Sequence, residues 1–410
     1  MIASSPHVVI LNDAGHVTGG AGKVAIDSAV ALAKQGHQVT FVCAVAPVDK
    51  ILENANLKIV CTDQQPIVSD PNRLRAVQQG WWNYKAAAAM SDVLAHADLS
   101  NTIVHVHGWT KALSSSAIRA ALVRGYKTVI TLHDYFTACP NGGFFDYQKQ
   151  EFCQRRPLSA ACLSTNCDKS SYQQKLWRVG RQFVQSAIGL VPDGITHFIS
   201  ISDLSESILR PYLPRNCTVY RLPNPLDVTK TLSVDVEKNN NFMFVGRISP
   251  EKGIFTLMKA ASMCDVPVTV VGEGFQRSSV QQCYPDANFT GWLSAQDVRQ
   301  QLRSARALVF PSLWCETQGL VVLEAAAMGV PSIVARTTGV SETIEDGITG
   351  LIFRAGDVAD LTNKIKMLQD SSIASRMGRA AYDRYWESPW TMARHLSALE
   401  TCYEHVLFSR

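Results

Sequence analysis

Phe242-Met243-Phe244-Val245-Gly246-Arg247-Ile248-Ser249-Pro250-Glu251-Lys252-Gly253 is the stretch on which the fold turns. Residues 242–245 form an apolar run of strand length, Gly246 opens a turn, and Lys252 and Gly253 stand at the start of a helix. A strand feeding a helix through a glycine turn is the repeating unit of a parallel sheet. The unit recurs on both sides. Toward the C-terminus, strands are expected at 266–271, 287–289, 307–310 and 332–335, and toward the N-terminus at 7–11, 39–45, 57–60, 102–106, 127–132 and 196–200. Between the first two of these N-terminal strands, Val24, Ala25, Ser28, Ala29, Leu32 and Ala33 repeat at helical spacing, with small residues for close packing on a sheet.

Pro223-Asn224-Pro225, followed by a polar stretch that ends in Asn239-Asn240-Asn241, separates the two series. The 410 residues therefore divide into two doubly wound α/β, Rossmann-like lobes, the first over 1–224 and the second over 225–386. Residues 385–406 carry a helical apolar stripe interrupted at Pro389, and the final segment 387–410 is expected to return to the first lobe. Its task is packing and hinge coupling. Ligands of such sheets bind beyond the carboxyl ends of the strands, so two facing lobes make a cleft there.

With 46% hydrophobic and 18% charged residues, disorder and fibrous structure are excluded. Thirty-nine Lys and Arg against 35 Asp and Glu leave +4, too little to suggest a nucleic-acid partner. Residues 1–6 lack the cationic start of a secretory signal, and no apolar run reaches bilayer length. A cytoplasmic protein is expected, peripheral at the inner face of the membrane.

After the first strand, Asn12 to Lys23 includes Gly15, Gly19, Gly20 and Gly22 and opens the helix. Glycines there let a ligand approach the backbone, and the helix start offers free N–H groups. A P-loop would need glycine where Val17 stands and Ser or Thr where Val24 stands. Gly20, Gly22 and Ala25 meet the dinucleotide pattern but begin about eight residues beyond the strand, too far for its tight turn. Packing glycines alone are the plainer alternative.

Arg247 and Lys252 suit a diphosphate, one as a fork and one as a point charge, although two solvated surface cations would look the same. Glu316-Thr317-Gln318-Gly319-Leu320-Val321-Val322-Leu323-Glu324 places two carboxylates eight residues apart across a strand-to-helix turn. Carboxylates accept from sugar and ribose hydroxyls, and the intervening N–H groups can hold phosphate. An acidic first turn with a surface glutamate is the bland counterpart.

Gly246, Arg247, Lys252 and Gly253, then Gly272, Glu273 and Gly274, the Glu316–Glu324 pair, and Gly339, Glu342, Gly347 and Gly350 together resemble the C-terminal half of glycosyltransferase family 4. Gly19 and Gly20, His107 in His105-Val106-His107-Gly108, residues 131–134, Ser202 and the Pro223-Asn224-Pro225 turn extend the resemblance over nearly the whole chain. Thr317 and Gln318 stand where Ser and Phe are commonest in that family. The resemblance implies a retaining enzyme of GT-B fold that moves a hexosyl group from a nucleoside-diphosphate sugar, of UDP or GDP type, to a hydroxyl of a glycan or lipid-linked glycan, as in bacterial surface polysaccharide synthesis.

The same resemblance implies His107, Arg247, Lys252 and Glu316 as the catalytic set. The donor would lie against Gly19, Gly20, Arg247, Lys252, Gly274, Trp292, Glu316, Thr317, Gln318, Gly319, Leu320, Val321 and Glu324, and the acceptor against Gly20, Lys23, His133 and Asp134. A lone histidine at the end of an apolar strand is otherwise an ordinary core residue. Cations at the diphosphate, with no Asp-x-Asp pair, point to catalysis without a metal cofactor. A sugar-nucleotide epimerase of the same fold, or a non-catalytic sugar-nucleotide or glycan binder, are the alternatives.

The region 135–185 fits neither series. Cys139, Cys153, Cys162 and Cys167, four of eleven cysteines, leave open a structural zinc site, buried thiols or disulfides. Between 149 and 181, seven cations face two carboxylates, with Tyr147, Phe152, Tyr172, Trp177 and Phe183 near or among them. That composition suits an anionic glycan, a lipid diphosphate or an anionic membrane face, or else a solvated helix.

Overall fold

His7–Leu11 (β1) has no polar face: Val8, Val9, Ile10 and Leu11 are all fully buried, which only a strand covered on both sides can achieve. Around it the computed structural model, which describes residues 5–408, builds a seven-stranded sheet. Most of the 1–6 stretch read for a leader lies outside the described residues. The strands are β2 (Val39–Cys43), β3 (Lys58–Cys61), β4 (Thr102–Val106) and β5 (Lys127–Thr131), with the short antiparallel pair β6 (Phe145–Asp146) and β7 (Glu151–Phe152) set apart, then β8 (His197–Ser200) and β9 (Thr218–Arg221). Their order is β3-β2-β1-β4-β5-β8-β9, every pairing parallel. The connecting helices are α1 (Gly20–Lys34), α2 (Lys50–Glu53), α3 (Arg73–Trp81), α4 (Tyr84–Ala95), α5 (Ser114–Leu122), α6 (Ala160–Ser164), α7 (Tyr172–Ala187) and α8 (Asp203–Leu209).

The second sheet repeats the plan with six parallel strands: β10 (Asn241–Val245), β11 (Val268–Val271), β12 (Asn288–Gly291), β13 (Ala305–Phe310), β14 (Ser332–Ala335) and β15 (Gly350–Phe353). They run β12-β11-β10-β13-β14-β15, with α9 (Ile254–Cys264), α10 (Arg277–Cys283), α11 (Ala295–Leu302), α12 (Leu320–Ala327), α13 (Val358–Gln369) and α14 (Ser371–Glu387) around them. Each order reverses beside its first strand, between β1 and β4 and between β10 and β13. Those switch points are where loops splay apart and admit a ligand.

After α14 the chain breaks at Ser388–Thr391 around Pro389 and resumes as α15 (Met392–Phe408). α15 packs on the first sheet, where Leu396, Leu399, Cys402, Tyr403 and Val406 join Val8, Ile10, Phe41 and Ile103 in one core. The two crossing segments touch, the Leu226 N–H donating to the Trp390 carbonyl at 2.6 Å. The expected single kinked helix over 385–406 is thus two helices, because proline cannot continue the first. β9 and β15, absent from the sequence reading, complete one edge of each sheet.

Region 135–185 is an ordered insertion between β5 and β8 rather than a basic surface. Lys175 and Arg181 are buried, Arg178 pairs with Asp168 at 3.0 Å, Arg155 with Asp146 at 3.1 Å, and Lys149 with Glu151 at 3.8 Å. Most of the local excess of cations is neutralised or turned inward. All eleven cysteines are free thiols, so the disulfide alternative does not hold.

Candidate active site

The donor side of the cleft grows from strand ends. Beyond β10, Gly246 and Ile248 lie against the ends of β11, the Gly246 N–H donating to the Val271 carbonyl at 3.0 Å and the Ile248 N–H to Glu273 at 2.9 Å. Gly253 is left-handed (φ +67°), and a Cβ there would come within 2.0 Å of the Pro311 carbonyl oxygen. Only glycine brings the 246–253 turn so close to the end of β13. Gly274 is packed as tightly, a Cβ meeting the Ile248 carbonyl at 2.2 Å.

These contacts set Lys252 beside Glu316. Lys252 Nζ donates to Glu316 Oε1 at 2.5 Å and stands 5.5 Å above the Trp314 ring, while Ser312 Oγ donates to Glu316 Oε2 at 2.8 Å. The pair is nearly buried, with side chains 11% and 14% exposed. Arg247 differs: it is 69% exposed and only loosely paired with Glu251, at 3.7 Å, so its guanidinium is free to turn toward a ligand. Gln318, two residues before the uncapped start of α12, has neither amide atom satisfied although both are buried. An orphan amide beside an uncapped helix start offers hydrogen bonds to whatever fills that space.

Glu324, within α12, has its carboxyl pushed above the ordinary range by burial, against the pull of Arg299 at 3.9 Å and of Lys23 from the other lobe. Leu320 and Val321 are half-buried on the first turn of α12, and Gly319 packs closely on Phe310. Trp292, just past β12, is 76% exposed.

On the acceptor side, α1 begins at Gly20 with no side-chain cap, and a Cβ at Gly19 or Gly20 would meet nothing within 4 Å. Packing therefore does not demand glycine at either position. Lys23 pairs with Asp27 one turn along α1. His107 Nδ1 and His133 Nε2 share a hydrogen bond of 2.9 Å, while His107 Nε2 is buried without a partner. Burial holds His107 well below the usual histidine range and His133 down to about 3, with neighbouring histidines adding to the shift. Both are neutral at pH 7. Asp134, whose Oδ1 accepts from the Phe136 N–H at 3.0 Å, is pushed up to about 6 by burial, against that bond and the fields of Lys111 and Arg181.

At the cleft a hydrogen bond ties the donor side to the acceptor side: Thr317 Oγ1 donates to the His133 carbonyl at 2.8 Å. The donor turn around Glu316 and the His107–His133 pair thereby become neighbours across the cleft. Asp13 was given no role from the sequence, and Glu342 entered only as part of the family resemblance. Asp13 accepts the N–H groups of Lys111, Ala112 and Leu113 at 2.8–2.9 Å and so fixes the loop after His107; its place directly after β1 was the available signal. Glu342 bridges the lobes, accepting from the Asp203 and Leu204 N–H groups and pairing with Arg221 at 3.2 Å.

The expected zinc site is not assembled. Lys175 Nζ stands 2.9 Å from Cys167 Sγ and 3.5 Å from Cys162 Sγ, an ammonium where a four-thiolate site would need a metal. Among the described residues no three His, Cys, Asp or Glu side chains gather as ligands.

Two facing doubly wound lobes, with paired glutamates and cations at the mouth of the second, define a glycosyltransferase of GT-B type. The chain belongs to glycosyltransferase family 4: the model described as Glycosyltransferase Family 4 matches residues 18–230, and that of Glycosyl transferases group 1 matches 239–371. It is similar to an N-acetyl-alpha-D-glucosaminyl L-malate synthase of Bacillus anthracis, 23% identical over 95% of this chain and 94% of the relative. It is also similar to a GDP-mannose-dependent alpha-mannosyltransferase of Corynebacterium glutamicum, 32% identical, in a match that spans only 36% of each chain. Among solved structures, the Anabaena protein HepE in complex with UDP and glucose superposes with a TM-score of 0.67 at 16% identity, over 97% of this chain and 99% of HepE. A sucrose-phosphate synthase from Thermosynechococcus elongatus gives 0.71 at 17%, over 99% and 100%.

Proposed function

We propose that the protein is a retaining, metal-independent hexosyltransferase that takes a UDP- or GDP-sugar as donor and a hydroxyl of a glycan or lipid-linked glycan as acceptor, in surface polysaccharide synthesis of bacterial type. The observation that carries this reading is the Thr317–His133 hydrogen bond, which sets the Lys252–Glu316 pair opposite His107. Relatives support a nucleoside-diphosphate donor, one being named for GDP-mannose and one structure holding UDP.

In this reading Arg247 swings onto the diphosphate and Lys252, already held near Glu316, neutralises charge as it grows on the leaving phosphate. Glu316 and the Gln318 amide hold donor hydroxyls, and Glu324 takes the ribose. His107 Nε2, neutral and unpartnered, gives the sugar one hydrogen bond without adding charge. The bond from C1 to the phosphate oxygen breaks as the bond to the acceptor oxygen forms on the same face, and the acceptor's proton passes to the departing phosphate oxygen.

The test is a thermal-shift and titration panel of UDP- and GDP-sugars on wild type and Lys252→Ala. A lost charge-assisted contact of about 1.5–3 kcal/mol means roughly 10–100-fold weaker donor binding. Unchanged affinity would remove the donor assignment. Transfer that persists in EDTA, with the donor's anomeric configuration kept in the product by NMR, checks the other two parts; an inverted product rejects retention.

A further inference from the structure

Two neighbouring helices of the first lobe are built inside out. The inward face of α7 is polar: Lys175 lies on thiols, Arg181 donates to the carbonyls of Thr110 and Pro140, Gln182 to Thr137 and Gln185 to Phe136. Its outward face carries an apolar stripe, with Tyr172 38%, Leu176 46% and Phe183 50% exposed, beside the exposed Gln173 and Gln174. α3 repeats the inversion. Gln79 is buried, donating to Gln65 and Ala112 carbonyls, while Leu74 is 84% and Val77 39% exposed. A helix normally turns its apolar stripe to the core, so an outward stripe on each of two packed helices requires a partner.

The stripes are continuous and rigid. A Cβ at Gly180 would meet the Trp81 ring at 2.9 Å and one at Gly80 the Trp177 ring at 2.3 Å, so each indole rests on the other helix's glycine. Gly180 lies between Leu176 and Phe183 on α7, and Trp81 therefore joins the two stripes. Trp81 Nε1 donates to the Trp177 carbonyl, which leaves the outer face of the ring without a polar demand.

We propose that this α3–α7 face docks on the surface of an anionic lipid bilayer. Charge selects the occupant. Neither helix carries an Asp or Glu, and the exposed Arg73, Lys85 and Lys169 stand at its margin. A second copy would set like charges against each other, whereas anionic headgroups complement them while Leu74, Trp81 and Phe183 enter the acyl boundary. Tyr172 and Trp81 are the side chains favoured at that depth. The contact thus overlaps the 149–181 stretch the sequence suggested, but it rests on the outward apolar side chains there and on α3 rather than on the cations, most of which are paired or buried. It stands independently of the transfer reaction, and where that reading holds, docking would bring the acceptor lobe to a lipid-carried substrate.

Flotation of the full chain with phosphatidylcholine vesicles, with and without 30 mol% phosphatidylglycerol, tests the proposal at 50 and 300 mM salt. The expected result is retention on the anionic vesicles, at least tenfold weaker without phosphatidylglycerol. Leu74→Ser/Leu176→Ser/Phe183→Ser and, separately, Lys85→Glu/Lys169→Glu should each lose at least tenfold, with melting temperature and UDP-induced shift unchanged. Wild type that stays off anionic vesicles at low salt, or a triple serine variant that binds as wild type does, overturns it. A dimer in sedimentation that the serine variant dissolves, with no vesicle binding, assigns the face to a second copy and overturns it equally.

Discussion

Four histidines, His105, His107, His133 and His395, lie where the first sheet meets α15 and the cleft, all with lowered pKa. Burial brings His105 to about 3 and His395 to about 4. His105 spends both nitrogens on neutral partners, Tyr403 and Thr131, each at 2.7 Å. An unfolded chain protonates these rings below pH 6.5 while the folded one does not, so the unfolded state binds more protons and stability falls as pH drops from 6.5 toward 4. Asp134, raised to about 6, works the other way over 3.8 to 6, and Glu324, also raised by burial, acts in the same sense, but two carboxyls against four rings do not reverse the sign. Urea unfolding at pH 7.5, 6 and 5 should give a progressive loss, up to about 1.4 kcal/mol per pH unit for each histidine; a flat profile would mean the rings are not neutral. At Gly20 the open space makes a different prediction. Gly20→Ala should leave stability within about 0.5 kcal/mol, as at an unconstrained surface site, yet slow transfer, because the room belongs to the ligand. Of these residues, sequence singled out His107, His133, Asp134 and Gly20 through the family resemblance, but the neutrality of the rings and the free space at Gly20 come from packing that no spacing encodes.

At the scale of elements, strands were legible because a parallel sheet buried on both faces writes itself as an apolar run. β9, with both end residues exposed, lacks that run, and β15 has only Leu351, Ile352 and Phe353 after its opening glycine; both were missed. α7 was legible only as a basic face or a solvated helix, and its direction was not legible at all: its polar face finds loop carbonyls and thiols that only the fold brings near. The start of α8 shows a related non-local dependence, since Ser202 caps it within the lobe while Glu342 reaches it from the other lobe. Glu342→Ala removes a charged acceptor from two N–H groups and from Arg221. It should cost about 1–3 kcal/mol and loosen lobe closure, seen as lower melting temperature with faster proteolysis of the 222–226 crossing. A variant as resistant as wild type would show that the bridge does not hold the lobes.

For the whole molecule, two lobes and a cleft were readable because the strand–helix alternation breaks once, near Pro225. What alternation could not convey is how far the first lobe depends on α15. Leu396, Leu399, Cys402, Tyr403 and Val406 are each at most 4% exposed, and a large apolar side chain fully buried is worth roughly 1.5–3 kcal/mol. Together they rival the 5–15 kcal/mol that stabilises a typical domain. Truncation after Thr391 should therefore unfold the first lobe while the second still melts cooperatively, giving one calorimetric transition where the full chain shows the signal of both lobes.

The His105–Tyr403 contact also bears on how the chain is made. β4 leaves the ribosome early, and the helix that covers it is translated only after the whole second lobe. At about 5–20 residues per second, the 166 positions between Pro225 and Met392 take roughly 10 to 30 s. Through that interval the nascent first lobe carries an uncovered apolar sheet face, a natural substrate for chaperones, and its folding waits on the synthesis of the second lobe even though its sequence comes first.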